Sequence, residues 1–233
     1  MKRFYSSVDV AQAGDGWQVT LDGRGIKTQG GEPQVVPSHD LALTLAQEWA
    51  GQPEKIDTGL FRLRDHADYA IDIIRPNRDE AIDKLLSYAE TDTLCYRADP
   101  DEALHKRQQE AWEPLLGHLE SRHGVSFNRI SGVIHKPQPP ETLRCLREYL
   151  AAQDDFTLAA LTAMASLAAS LSVALLGIDE AINDPEPLWR DANLEEEWQA
   201  EMWGRDAEAE AARARRWEAF SAAATFAALA RTA

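Results

Sequence analysis

Residues 17–28 read WQVTLDGRGIKT, and this stretch sets the class of the fold at the N-terminal end of the chain. Trp17, Val19 and Leu21 alternate with Gln18 and Thr20, the period-2 pattern of a strand with one buried face. Asp22-Gly23-Arg24-Gly25 then supplies turn chemistry, since Asp-Gly tolerates the positive φ angles of a tight hairpin, and Ile26-Lys27-Thr28 returns as the expected partner strand. Around this hairpin, residues 4–57 read as a small β domain with one helix. Gln34–Val36 is a short extended piece stopped by Pro37. Ser38 is placed to cap a helix through Trp49, with Leu41, Leu45 and Trp49 on one stripe and Gly51 and Pro53 beyond its end.

From about Leu60 the apolar period becomes helical and stays so. Asn77 is placed to cap a helix carrying Ile82, Leu85, Leu86 and Ala89, and Asp101 to open one running to about His123, with Pro114 as an internal kink. Between them, Ala89 to Arg97 has no clear period. Val125 to Ile134 reads as extended, an expected small hairpin within the helical half, and Pro137, Pro139 and Pro140 lead into a helix ending near Gln153. Phe156 to Ile178 is a run of 23 residues without a charge, long enough to span a bilayer. Alanine, serine and threonine dominate it and no Lys or Arg flanks it, so it is expected as the central helix of a bundle. Ala207 to Ala230 closes the chain as an alanine-rich helix. The expected fold is α+β: a small N-terminal antiparallel β domain over residues 1–57 and a larger C-terminal α-helical bundle domain over 58–233.

The 233 residues carry a net charge of −15. Twelve acids lie between Asp179 and Glu210, against Arg190 and Arg205 alone, and Arg213, Arg215 and Arg216 just beyond offset part of that charge. Such acidity disfavours nucleic acid and anionic lipid and favours a protein partner. Cys95 and Cys145 lack CxxC spacing, and Met1-Lys2-Arg3-Phe4-Tyr5 has neither an apolar nor an Arg-rich amphipathic leader, so a cytosolic protein with reduced thiols is expected.

No sequence signature names a reaction. There is no GxxxxGK[ST] and no GxSxG, and Gly23-Arg24-Gly25 lacks the third glycine of a dinucleotide site. Two ExxH pairs, Glu102 with His105 and Glu120 with His123, resemble half-sites of a di-iron bundle. They sit 18 residues apart on one helix, about 27 Å at a rise of about 1.5 Å per residue, and cannot share a metal unless Pro114 folds the helix back. His39, His66 and His135 are isolated. Asp65, Asp68 and Asp72, with Arg62 and Arg64, are expected as a surface ion-pair face. No catalytic residue, metal or cofactor is expected.

One stretch has a second polar-aromatic face. In Asn193–Gly204, NLEEEWQAEMWG, Leu194, Trp198 and Met202 recur at i, i+4, i+8 as one apolar stripe, while Glu196, Gln199 and Trp203 fall on roughly the opposite side. That second face either packs within the chain or touches another molecule.

LEEEWQAEMWG resembles the hallmark of the chaperone family that handles the F1 α subunit in ATP synthase assembly. Arg3-Phe4-Tyr5, Trp17 through Leu21-Asp22-Gly23-Arg24 to Lys27-Thr28, Glu48-Trp49, Thr91-Asp92 with Cys95-Tyr96-Arg97, and Gln109 with Trp112-Glu113-Pro114 match that family in order, from residue 3 to about 226. The resemblance implies a β domain followed by a helical domain and no enzyme activity or nucleotide use. It also implies a client, unassembled F1-ATPase α subunit, released to β subunit in the hexamer. The family's critical acidic position aligns with Glu196, flanked by Glu195 and Glu197; with Gln199 and Trp203 these are the expected client-binding residues. Trp49 matches a further sensitive position, either a client contact or the seat of the first helix. Gly25 departs from the proline that often follows Asp-Gly-Arg, and the missing mitochondrial leader suggests a bacterial, cytoplasmic member, with a monomer favoured. Two rival readings stand beside this one: a helix-bundle carboxylate or metal enzyme using Glu102, His105, Glu120 and His123, and an acidic adaptor with another client.

Overall fold

The structure, a computed structural model, describes residues 1–132, 135–182 and 184–231. The chain gathers into two compact units. The first is Met1–Arg78 with Asp154–Ala160 and the chain from Ala222 onward; the second is Asp79–Gln153 with Leu161–Ser221.

In the first unit, β1 (Val8–Ala13) pairs antiparallel with β2 (Gly16–Leu21), Val10 opposite Val19, through a tight turn at Gly14 and Asp15. The other edge of β2 is shared: β3 (Arg24–Gly25) pairs with Thr20 and Leu21, and β4 (Val35–Val36) with Trp17 and Gln18. The Asp22–Gly23 turn has φ of 48° and 78°, the left-handed pair that a two-residue hairpin requires. Asp22 also accepts the Ser6 and Ser7 N–H groups at 3.0 and 2.8 Å, which ties the entering chain to the hairpin. A Cβ at Gly25 would meet the end of the Gln18 side chain, whose Nε2 donates to Ile26 O at 2.7 Å, so a larger residue there requires that carboxamide to move.

Ser38 Oγ accepts the Leu41 N–H at 3.0 Å and caps α1 (His39–Ala50), which buries Leu41, Leu45 and Trp49. After α2 (Arg62–Tyr69) the helix does not restart at Asn77. It runs on through a π turn at Ala70–Ile74 and a 3₁₀ turn at Arg75–Asn77 into α3 (Arg78–Glu90), and Asn77 Nδ2 donates back to Ile73 O instead of capping. Widening the turn accommodates Pro76, which has no N–H to give. The Asp65, Asp68, Asp72 face forms the expected ion pairs in part, Arg64 reaching Asp65 at 3.2 Å and Asp68 at 3.1 Å, but it is not wholly a surface face. Buried Asp68 accepts Gln34 Nε2 at 2.5 Å and Gln29 N at 3.2 Å, and Asp72 accepts Thr28 Oγ1 at 2.7 Å and Gly30 N at 2.8 Å, so two of the three acids pin the 28–34 loop.

In the second unit, β5 (Tyr96–Arg97) precedes α4 (Ala103–His123), whose Pro114 lies inside the helix. β6 (Ile130–Ser131) pairs parallel with β5, so the expected hairpin is instead a bridge to an earlier segment; Val133 and Ile134 lie outside the described residues. α5 (Pro140–Ala151) follows. The uncharged run is two helices, α6 (Asp155–Ala168) and α7 (Leu171–Gly177), because Ala169 takes φ of 48° and Ser170 caps α7. The break is held by Asp92, which is 0 % exposed and accepts Ser170 Oγ at 2.6 Å, Ser172 N at 2.8 Å and Leu94 N at 3.1 Å. Burial raises its pKa, the donors opposing. α8 (Pro185–Ala192), α9 (Leu194–Trp203) and α10 (Ala207–Ala230) complete the chain, with α4 packed on α7, α8 and α9. The fold is α+β, an N-terminal antiparallel sheet and a larger helical region. Among the described residues, no helix is long and apolar enough to cross a membrane.

Candidate client-binding surface

The helix α9 is short, so its own backbone holds it weakly and its position depends on neighbouring side chains. Leu194 is buried and anchors one end, Trp198 is half-buried, and Met202, expected on the same stripe, is 62 % exposed. Trp203 on the other face is 82 % exposed, beside exposed Gln199. Gly204 ends the helix at φ of 96°, leaving the indole at its tip.

The acids of α9 face cations of the same unit. Arg216 donates to Glu196 at 2.5 Å, and Arg213 to Glu197 at 2.9 Å and Glu210 at 3.1 Å. Arg205 pairs with Glu197 and, at 3.3 Å, with Glu210. The Arg216 hydrogen bond holds the Glu196 carboxyl below the usual glutamate range, against a smaller effect of burial. On the side of α4, Arg107 grips Glu201 with two bonds of 2.5 and 2.9 Å while its guanidinium sits 5.6 Å from the Trp198 ring centre, and Gln108 Nε2 donates to Glu195 at 2.6 Å. The whole arrangement clasps α9 between α4 and α10.

Gln108, buried and also accepting the Ala98 N–H at 2.8 Å, and Arg107 were not singled out in the sequence; Gln108 stands one helical turn before Trp112 on the buried stripe of α4, the signal that could have found it. Trp112 Nε1 donates to Asp191 O at 2.7 Å and fixes the end of α8. Trp49 lies in the first unit and is 9 % exposed, edge-on to Tyr5 at 5.6 Å and tilted against Phe61 at 4.6 Å. Glu195 to Trp203 belong to the second unit.

The ExxH pairs hold no common site. Glu120 pairs with Arg129 and accepts the Phe127 N–H at 2.7 Å, while His123 sits edge-on to Tyr149 at 4.5 Å. Among the described residues, no three His, Cys, Asp or Glu side chains gather as metal ligands.

A family model described as the ATP12 chaperone protein matches residues 2–120, more than half of the chain. The chain belongs to the ATP12 chaperone family. The crystal structure of Atp12 from Paracoccus denitrificans is 37 % identical and superposes with a TM-score of 0.93, covering 99 % of this chain and 98 % of that one. A protein of Agrobacterium tumefaciens described as a candidate chaperone is 35 % identical over 98 % of this chain and 85 % of its own, with a TM-score of 0.92. The mitochondrial protein atp12 of Schizosaccharomyces pombe is 27 % identical over 198 residues, 80 % of this chain and 68 % of that one. ATP12 chaperones serve ATP synthase assembly, and this chain shares their fold over nearly its full length.

Proposed function

We propose that this protein is an ATP-independent assembly chaperone that binds unassembled F1-ATPase α subunit, keeps it from aggregating and gives it up to β subunit. In this reading Trp203 and Gln199 meet an apolar face of the client that β subunit covers in the hexamer, while Glu195, Glu196 and Glu197 fix the angle at which α9 presents them. Trp49 contributes by seating α1. What supports the reading is membership in the ATP12 family, together with a large indole left in water at the end of a clasped helix, an arrangement that favours contact with another molecule. Release then needs no nucleotide: β subunit binding the same face more tightly draws the client away by mass action.

The test is light scattering of α subunit diluted from denaturant, with and without this protein and with no nucleotide present. Suppression at near-stoichiometric ratio, reversed on adding β subunit, is the expected result. Unchanged scattering, with no complex on gel filtration, overturns the client.

A further inference from the structure

A groove of about 500 Å³ opens between α8, α9 and α10, wholly within the second unit and separate from Trp203. Its apolar wall is Trp189 and Trp217, ring centres 6.4 Å apart, the pair backed by Phe220 at 5.0 Å from Trp189. Trp189 and Phe220 are buried, whereas Trp217 is half-buried and turns part of its indole to the groove. The opposite wall is the clasp: Arg213, already facing Glu196, Glu197 and Glu210, has its charge met within the chain. The mouth differs. Asp184 caps α8, accepting the Glu186 N–H at 2.9 Å, Arg190 pairs with Asp191 at 3.6 Å, and Glu186 is exposed and makes no ion pair among the described residues. An indole wall beside the exposed Glu186 carboxylate, within the most acidic segment of the chain, matches a long cationic side chain: the aliphatic stem lies on the rings and the charge reaches Glu186. An anionic or purely apolar occupant would leave that carboxylate opposed or desolvated.

We propose that this groove takes an arginine-bearing amphipathic segment of the unassembled client, a second contact distinct from the Trp203 tip. The proposal rests on the client reading above and adds the chemistry of the segment recognised. The segment's guanidinium packs over Trp217 and pairs with Glu186.

The seven tryptophans give separate indole N–H signals in a ¹⁵N spectrum, assignable by single Trp→Phe changes. A short amphipathic arginine peptide, and the same peptide with glutamine for arginine, serve as probes. Saturable shifts of the Trp189 and Trp217 signals with the arginine peptide, lost with the glutamine peptide and weakened about fivefold by Glu186→Gln, are expected. Glu186 is exposed, so that variant keeps the fold. Equal shifts with both peptides, shifts confined to Trp203, or groove signals that move with protein concentration alone, which would mark a second copy as the occupant, each overturn it. The two readings fail separately. If wild type holds α subunit and Glu186→Gln and Trp217→Leu hold it equally well, only the groove is wrong; if wild type fails to hold α subunit, the client is wrong whatever the peptides do.

Discussion

Arg216 on α10 donates to Glu196 on α9 across 2.5 Å, joining residues 20 positions apart through a pair of side chains. The acid that the family resemblance singles out is therefore engaged in an intrachain bond, and in the proposed function it acts on the client through the pose of α9. Glu196→Lys sets a cation against Arg213 and Arg216 and should free α9, raising amide exchange across Leu194–Trp203 while Tm changes little. The carboxylate is 43 % exposed, so the neutral Glu196→Gln should cost only about 0.5 kcal/mol after solvent screening. Because the folded pKa is lowered, this contribution is full above the ordinary glutamate range and is lost as pH falls through the folded value. Unchanged exchange in Glu196→Lys would remove the clasp from the account.

Trp203→Ala separates contact from stability. The indole is 82 % exposed, so unfolding free energy should stay within about 0.5 kcal/mol of wild type. Suppression of α-subunit scattering should fall sharply. A variant that holds client as well as wild type does would take Trp203 out of the surface.

Asp92 should be costly to remove. Asp92→Ala leaves Ser170 Oγ and the Ser172 and Leu94 N–H groups without their acceptor in a dry site, a loss of about 3 kcal/mol or more in denaturant unfolding. Asp92→Asn keeps one acceptor oxygen and should fall between the two.

His66 gives the pH test. It packs on Phe226 with ring centres 5.4 Å apart, and burial lowers its pKa from the ordinary 6.5. The unfolded chain thus takes up the proton first, and stability should decline as pH drops below about 6.5 until the folded pKa is passed. His66→Phe should flatten that part of the profile; an unaltered slope assigns it to other groups.

Gly25→Pro tests the hairpin. The ring would meet the Gln18 carboxamide, so the single change should destabilise by about 1–3 kcal/mol, and pairing it with Gln18→Ala should recover part of the loss. Equal costs in both backgrounds would mean the clash is not the cause.

The features legible in the sequence are those governed by neighbours along the chain. Alternation at Trp17, Val19 and Leu21, the Asp22–Gly23 turn and the Ser38 cap all appear where local chemistry places them. β1 was not marked as a strand because Asp9, Ala11 and Gln12 have little β preference; its pairing comes from the facing edge of β2. The break at Ala169 was hidden since nothing apolar changes there, and the group that forces it, Asp92, lies nearly eighty residues earlier. The period of α9 places Leu194 on its buried side and Trp203 on its exposed side but misplaces Met202, and its clasp is not readable at all: Arg107, Arg213 and Arg216 reach it from other helices, and no spacing rule along one helix predicts such partners.

Ser38, at the start of α1, also donates to Leu229 O at 2.5 Å, and Phe226 closes over His66 and Phe156 within the first unit. The part of the protein made first thus waits for the part made last. During translation Ser38, His66 and Phe156 emerge before the segment that carries Phe226 and Leu229, so these contacts close only when α10 is complete.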